Sequence, residues 1–191
     1  SQTRARVSVA ETAVAQSTDI FIRAKELALT GANGTQSAAS RVAIAEEVAT
    51  LHQSLLGEAN TEHQRGYVFS GFASTTAPLV SSGPFVETPP SSPTVSFAGD
   101  SNEIQVEIDE GVTATASFDG RRVFLGDADG DSVVDPGRED LFDVLSSLWD
   151  ALMANDEVAT AAMLPRIDDA ISQLNRERTS MGAVAGQLED W

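Results

Sequence analysis

The character of the chain changes at Gly66, and this change constrains the fold more than any other feature of the sequence. From residue 41 onwards apolar residues follow helical spacing, at Ile44, Val48, Leu51 and Leu55. Residues 66–72 then read Gly-Tyr-Val-Phe-Ser-Gly-Phe, an aromatic, β-prone segment bracketed by glycines. The sequence therefore predicts a long amphipathic helix over residues 37–65 that stops where a different kind of packing begins.

Another amphipathic segment, over residues 4–30, precedes this helix. Side chains that can form a seam recur every seven residues, at Val7, Val14, Phe21 and Ala28 and at Ala10, Ser17 and Ala24. Small residues at one seam position let a neighbouring helix approach closely. Because a short glycine-containing turn at residues 31–34 joins the two segments, we expect two long helices packed antiparallel.

Helical spacing returns in the last third of the chain. Residues 139–154 are predicted to be a helix, with Leu141, Leu145, Leu148 and Leu152 at 4-3-4 spacing. Asp156 is the expected N-cap of the last helix. That helix carries two heptad rows, one of Ile167, Leu174, Met181 and Leu188 and one of Leu164, Ile171, Arg178 and Ala185. Pro165 is expected to kink the last helix or to mark its true start.

Strand-like alternation occupies the region between the helices. Apolar residues alternate with others at Val95 and Phe97, at Ile104, Val106 and Ile108, and at Ala114, Ala116 and Phe118. Turns are expected at residues 109–111 and at Asp119-Gly120, the second of which predicts a hairpin with residues 122–125. Residues 81–93 are rich in Ser and Pro and are predicted to form a loop.

Together these elements predict an α+β fold. We expect an antiparallel bundle of long helices with an inserted small antiparallel β domain. Residues 1–65 and 139–191 would form the discontinuous bundle domain. Residues 66–138 would form the insert, which includes the Ser- and Pro-rich loop and an acidic loop.

Charge and composition exclude several classes of function. The chain has 12 basic and 29 acidic residues, a formal net charge of −17, so binding to nucleic acid or to an anionic membrane is not expected. The absence of cysteine excludes disulfides, thiolate metal sites and cysteine nucleophiles. No apolar run approaches the roughly 20 residues of a membrane span, and no signal peptide opens the sequence.

One stretch has the spacing of a metal-binding loop. Asp127, Asp129, Asp131 and Asp135 match the first, third, fifth and ninth positions of a calcium loop. Ser132 stands where that motif has glycine, and Arg138 stands where it has a bidentate glutamate. Glu139 or Asp140 could replace the glutamate only in a longer loop. We therefore favour a solvated acidic turn between strand and helix, and keep calcium as the alternative.

No constellation of catalytic residues is recognisable. His52 and His63 lie eleven residues apart, about 16 Å along the predicted helix, so they cannot share one metal. We interpret them as surface or hydrogen-bonded histidines. Ser70 lies in Phe-Ser-Gly-Phe and not in a Gly-x-Ser-x-Gly elbow. The sequence predicts a protein that is not an enzyme and has no cofactor, calcium apart.

Several short motifs resemble one known family. Residues 34–51, with Arg41, Ile44, Glu47 and Leu51, are similar to a helix of bacterial flagellins. The chain otherwise resembles the flagellar hook-associated protein 3 family, which forms the hook–filament junction. The segments that carry this resemblance are residues 55–60, 66–71, 83–85, 97–108, 120–124, 140–145 and 178–184.

The resemblance implies a structural adaptor of the bacterial flagellum. It implies export without a cleaved signal peptide, an extracellular location, other hook-associated proteins and flagellin as partners, and self-association of the full-length protein into a ring. Both ends of the sequence interrupt a pattern, so we expect a core that lacks the family's terminal coiled-coil segments and is monomeric on its own. The alternatives are a flagellin filament subunit and an extracellular calcium-binding module.

Overall fold

The computed structural model describes residues 2–64, 66–73, 75–100, 102, 105–109, 112–115 and 117–188. The helices are α1 (Gln2–Gly31), α2 (Ala38–Ala59), α3 (Leu141–Met153) and α4 (Glu157–Gln187). The strands are β1 (Glu62–His63), β2 (Gly66–Tyr67), β3 (Leu79–Ser81), β4 (Val86–Glu87), β5 (Pro90–Ser91), β6 (Val95–Phe97), β7 (Gln105–Asp109) and β8 (Val112–Thr115). The order of helices and strands confirms the predicted α+β fold.

The longest helices, α1 and α4, pack along each other, and α2 packs along α3. Both predicted heptad rows of α1 are buried, at Val7, Val14, Phe21 and Ala28 and at Ala10, Ser17 and Ala24. On α4 the first predicted row is buried through Met181, whereas Leu164 and Ile171 of the second row are half-buried and Arg178 is exposed. The second row therefore lies at the margin of the bundle interface.

Helix α2 ends at Ala59, six residues before the predicted end. The C-cap residue, Asn60, is hydrogen-bonded to Leu79 of β3. Its Nδ2 donates to the Leu79 carbonyl at 2.8 Å, and its Oδ1 accepts from the Leu79 amide at 3.0 Å. The chain then reverses, and β1 pairs antiparallel with β2. The predicted helix end at residue 65 is wrong because a tertiary contact stops the helix earlier.

The caps of the last two helices are aspartates. Asp140 begins α3, where its carboxylate accepts from the amides of Phe142 and Asp143. Asp156 begins α4 and accepts from the Ala159 amide at 2.9 Å, which confirms the predicted N-cap. Pro165 lies inside α4, eight residues after the helix begins, so it is not the start of the helix.

The described strands form separate antiparallel pairs, each of two strands. Strands β3 and β6 pair, and the hairpin β4–β5 is nested between them, so the Ser- and Pro-rich segment holds strands as well as loop. Strands β7 and β8 confirm the hairpin predicted around residues 109–111. The predicted strand residues Ile104 and Ala116, and residues 110 and 111 of the turn, lie outside the described residues.

The hairpin predicted at Asp119-Gly120 is wrong. Residues Arg121–Leu125 form a single π-helical turn instead. Val123 and Phe124 are both buried, and Phe124 packs edge-on against Phe69 with ring centroids 5.0 Å apart. A strand would point these two neighbours to opposite faces, whereas a helical turn allows both to enter one core.

The hydrophobic core is continuous from the helices into the inserted segment. Val68, Phe69 and Leu79 belong to the same buried cluster as Phe21, Leu55, Leu148 and Ile167. The domain boundaries at residues 65/66 and 138/139 stay a prediction. Among the helices described, none combines the length and apolar character that a bilayer span requires.

Candidate functional site

The acidic loop brings three of its four predicted ligands together. Carboxylate oxygens of Asp127, Asp129 and Asp131 all lie within 4.8 Å of one another. The fourth residue, Asp135, closes the base of the loop: its Oδ2 accepts from the Ala128 amide at 2.7 Å. The cluster thus contains three of the four predicted residues, while Asp135 is hydrogen-bonded at the base of the loop.

The carboxylates of this loop are hydrogen-bonded to its own backbone. Asp127 is only 4% exposed, and it accepts from the amides of Gly130 at 2.6 Å and Ser132 at 3.1 Å. Asp129 accepts from the amide of Asp131, and Asp131 accepts from the amide of Val133. These bonds hold the loop in shape through its own amides.

The residues after the loop do not complete a calcium-loop ligand set. Arg138 donates to Glu177 at 2.9 Å, and Glu139 accepts from Arg166 at 2.6 Å. Asp140, as the N-cap of α3, uses its Oδ1 on two backbone amides. Each side chain near the bidentate position therefore has another role, and calcium binding stays a prediction.

His52 is buried in an aromatic environment. It is 2% exposed, and its ring makes edge contacts with Phe85 and Phe142, each at a centroid distance of 5.1 Å. Within the part of the chain that the structure describes, Nε2 of His52 has no hydrogen-bond partner, and burial lowers the pKa of His52 to about 4. The interpretation of His52 as a surface or hydrogen-bonded histidine is therefore wrong with respect to its Nε2. Its spacing from Val48 and Leu55 was the sequence signal for burial.

His63 lies in β1 and not on α2, so the two histidines do not share a helix. Ser70 is buried, and its hydroxyl donates to the Tyr67 carbonyl at 3.1 Å. This hydroxyl therefore stabilises the turn after β2. Its burial also leaves it inaccessible to a substrate.

Buried polar side chains that the sequence analysis missed fasten the inserted segment to α4. Gln173 is fully buried: its amide nitrogen donates to the carbonyls of Val123 and Glu139, and its oxygen accepts from the Glu139 amide. Glu177, 5% exposed, accepts from Arg138 and Arg122. Their helical spacing around Leu174 was the only signal in the sequence, because nothing local distinguishes them from solvated residues.

Comparison with known proteins relates this architecture to the flagellum. No protein-family model matches the chain. Flagellar hook-associated protein 3 of Escherichia coli (strain K12) is 25% identical over 197 residues, which cover 97% of the chain and 58% of that protein. The chain therefore spans less than two thirds of this relative's length.

Solved structures share the fold. FlgL from Xanthomonas campestris (space group H3) gives a TM-score of 0.80 at 18% identity, over 99% of the chain and 90% of FlgL. The chain is similar to flagellar hook-associated protein 3 and has the FlgL fold. The flagellar junction protein FlgL from Legionella pneumophila gives 0.78 at 14% identity, over 99% and 93% of the two chains. A flagellin from Bacillus cereus gives 0.61 at 21% identity, over 98% and 82%.

The likeness to FlgL extends through the inserted segment. Because the superposition on the Xanthomonas FlgL covers 99% of the chain, it includes the described strands of the inserted segment as well as the helices. These findings confirm the resemblance identified from the short sequence motifs. These proteins are named as a flagellar hook-associated protein, a flagellar junction protein and a flagellin.

Proposed function

We propose that this chain belongs to a structural adaptor of the bacterial flagellum, which joins the hook, through the preceding hook-associated protein, to the flagellin filament. The observation that carries the proposal is similarity to flagellar hook-associated protein 3 along 97% of the chain. The FlgL fold supports it independently of sequence identity. The partners are other hook-associated proteins and flagellin, and the whole protein associates with itself into a ring outside the cell.

The mechanism is subunit packing, in which no covalent bond is made or broken. A junction has to transmit force without changing shape, and the described structure is suited to this. Helices α1 and α4 run side by side for about 30 residues, roughly 45 Å at 1.5 Å per residue. Gln173 and Glu177 hold the inserted segment firmly against this pair. An adaptor of this kind needs no catalytic residue and no cofactor.

A flagellin filament subunit is the alternative within the same architecture. The solved flagellin superposes less closely than the FlgL structures do, which favours the junction role. An extracellular calcium-binding module would rest on the cluster of Asp127, Asp129 and Asp131 alone. For each alternative we expect a result that differs from the one expected for a junction protein in the experiment below.

The test is electron microscopy of cells in which the gene is deleted. We expect bare hooks, filaments shed into the medium, and restoration of attached filaments by the complete gene. Complementation with a flagellin gene is the matched control, and we expect no rescue from it. Rescue by flagellin would favour the filament subunit, and attached filaments in the deletion strain would refute the junction role.

A further inference from the structure

Asn33 and Gly34 lie exposed in the turn between α1 and α2, and Asn33 is the one asparagine in the sequence that a glycine follows. The main-chain nitrogen after an asparagine can attack the side-chain carbonyl carbon, Cγ, because both atoms belong to one short segment and a five-membered ring closes. Glycine has no Cβ to hinder this attack. The turn therefore has the covalent arrangement that favours loss of ammonia from Asn33.

The side-chain carbonyl of Asn33 is polarised by two donors. Its Oδ1 accepts from the Thr35 amide at 3.0 Å and from the Thr35 hydroxyl at 2.9 Å. Attack at Cγ turns this oxygen into an oxyanion, and donors already in place stabilise the developing charge. Thr35 therefore activates the side chain of Asn33 as the electrophile.

The Gly34 amide is the nucleophile, and it donates no hydrogen bond within the described part of the chain. The Asn33 carbonyl, which belongs to the same peptide group, accepts from Nη2 of Arg41 at 3.1 Å and from the Gln36 amide at 3.0 Å. A positive charge beside this carbonyl favours the deprotonated form of the peptide group. Arg41 therefore makes the Gly34 nitrogen easier to deprotonate.

The other asparagines of the chain lack this combination. Each of them is followed by a residue with a side chain: Asn60, Asn102, Asn155 and Asn175. The amide after Asn60 donates to the Glu58 carbonyl at 3.1 Å, and the amide after Asn155 donates to the Ala151 carbonyl at 3.0 Å. Asn175 lies inside α4, where the next amide belongs to the helix. A free amide without a neighbouring Cβ therefore distinguishes Asn33.

We propose that Asn33 is a modification site at which this chain undergoes deamidation. The bond from the Gly34 nitrogen to Cγ forms as the bond from Cγ to Nδ2 breaks, and the proton of Gly34 leaves with the released ammonia. Water then opens the succinimide, at Cγ to give aspartate or at the main-chain carbonyl carbon to give isoaspartate. The proposal goes beyond the junction role and does not depend on it.

Either product places its new carboxylate beside donors that the folded chain already provides. Opening at Cγ leaves the carboxylate at Thr35, whose amide and hydroxyl already donate to Oδ1. Opening at the main-chain carbonyl leaves the carboxylate at Arg41, whose guanidinium already donates to that oxygen. Hydrogen bonds to a charged acceptor are stronger than those to a neutral one. We therefore expect the modified chain to stay folded with one additional negative charge.

The test is incubation of the folded chain at about pH 8, followed by mass spectrometry of its tryptic peptides. The peptide of residues 26–41 contains Asn33 as its one asparagine. We expect Asn33 to be converted before any other asparagine of the chain. Earlier conversion of another asparagine would overturn the proposal. So would an unchanged Asn33 at the time when the isolated peptide of residues 31–36 has been converted completely.

Gly34→Ala tests the attacking residue. The φ angle of Gly34 is not in the left-handed region, and an added Cβ would lie 3.1 Å from Oε2 of the flexible, exposed Glu157, so the variant should fold. We expect the rate at Asn33 to fall about tenfold, because the Cβ hinders the attack. Gly57→Ala on α2 is the matched control, since nothing lies within 4 Å of its Cβ, and it should react like the wild type.

Thr35→Val tests the activation of the electrophile. It removes the hydroxyl donor to Oδ1 but keeps the amide, and we expect the rate at Asn33 to fall about threefold. Thr50→Val is the matched control, because its exposed hydroxyl donates only within α2, to the Glu46 carbonyl. Equal rates in Gly34→Ala and Gly57→Ala, or in Thr35→Val and Thr50→Val, would refute the assigned site.

Discussion

Nη1 of Arg41 donates a 2.6 Å hydrogen bond to Oδ1 of Asn155, a residue 114 positions away in the sequence. The same guanidinium donates to the carbonyls of Gly31 at 2.8 Å and Asn33 at 3.1 Å. Arg41 is 4% exposed, and it joins the α1–α2 turn to the α3–α4 turn. One buried side chain thus closes one end of the helical bundle.

Replacement of Arg41 tests the importance of this link. Arg41→Met keeps the length of the side chain but removes the donor to the Gly31 carbonyl and to Asn155, whereas the Asn33 carbonyl still accepts from the Gln36 amide. We expect the free energy of unfolding to fall by about 2–4 kcal/mol, since unsatisfied buried acceptors are costly. Urea denaturation with a constant m-value measures this.

The matched control for Arg41 is Arg23→Met on α1, because Arg23 is exposed and pairs with Glu26 and Glu47 at the surface. Exposed ion pairs contribute little, so this variant should unfold at nearly the wild-type urea concentration. Equal losses in the two variants would show that the buried hydrogen bonds of Arg41 have no special role.

His52 makes the stability of the fold dependent on pH. Burial lowers the pKa of His52 to about 4 in the folded chain. Between pH 6.5 and pH 4 the unfolded chain therefore binds a proton at His52 that the folded chain does not bind. Stability from this group is complete above pH 6.5 and is lost as the pH falls towards 4. With about 1.4 kcal/mol for each pKa unit, the loss is on the order of 3 kcal/mol.

His52→Leu should remove this part of the pH dependence. We expect the free energy of unfolding of the variant to fall less steeply than that of the wild type between pH 6.5 and pH 4. Urea titrations at half-unit intervals compare the slopes, and pH 7.5 serves as the reference because the imidazole is neutral in both states there. Parallel curves for the two proteins would contradict a buried, neutral His52.

Asp140 should show the opposite dependence. Desolvation raises its pKa to about 6, above the value of an unfolded aspartate, so its charged form destabilises the fold. This contribution favours the folded state below about pH 4 and is lost as the pH rises through 6. Asp140→Asn keeps the cap without the charge, so we expect it to be more stable than the wild type at pH 8.

Asp140→Ala separates the cap from the charge. It removes the acceptor for the Phe142 and Asp143 amides, and should be about 1 kcal/mol less stable than Asp140→Asn at every pH. Thermal unfolding at pH 5 and pH 8 measures both differences. A wild type more stable than Asp140→Asn at pH 8 would show that the carboxylate is well solvated in the fold.

The acidic loop is expected to keep its shape without calcium. The loop carboxylates accept from loop amides, and Arg138 stands at the bidentate position. We therefore expect 5 mM calcium, above the dissociation constants of about 0.1–1 mM typical of extracellular sites, to leave Tm at the value measured with chelator. Magnesium at equal ionic strength is the control. A rise in Tm with calcium alone that Asp129→Asn abolishes would instead establish a calcium site.

The helices follow from residue periodicity because local and tertiary preferences agree there. Heptad spacing in α1 placed Val7, Val14 and Phe21 in the core, where they lie. The 4-3-4 leucine spacing of α3 likewise predicts a buried face, and Leu141, Leu145 and Leu148 are buried. An amphipathic pattern of this length has one stable solution, since only a helix puts all of those side chains on one side.

The acidic loop was partly predictable from the sequence, whereas the cavity beside it was not. Its spacing correctly brings Asp127, Asp129 and Asp131 together, because alternate residues in a tight turn have little freedom. The cavity beside the loop could not be predicted, since Phe97, Arg121 and Asp140 come from three separate parts of the chain. A pocket of this kind is defined by packing and not by a motif.

The sequence alone determines the heptad faces, the N-cap of α4 at Asp156 and the β7–β8 hairpin, because each of them depends on residues that are neighbours in the sequence. The end of α2 and the π-helical turn depend on distant partners. Helix α2 ends at Asn60, whose side chain makes two hydrogen bonds with the backbone of Leu79. Phe124 points into the core, where its ring packs edge-on against Phe69. Such contacts exist only after the chain has folded, so local propensity cannot encode them.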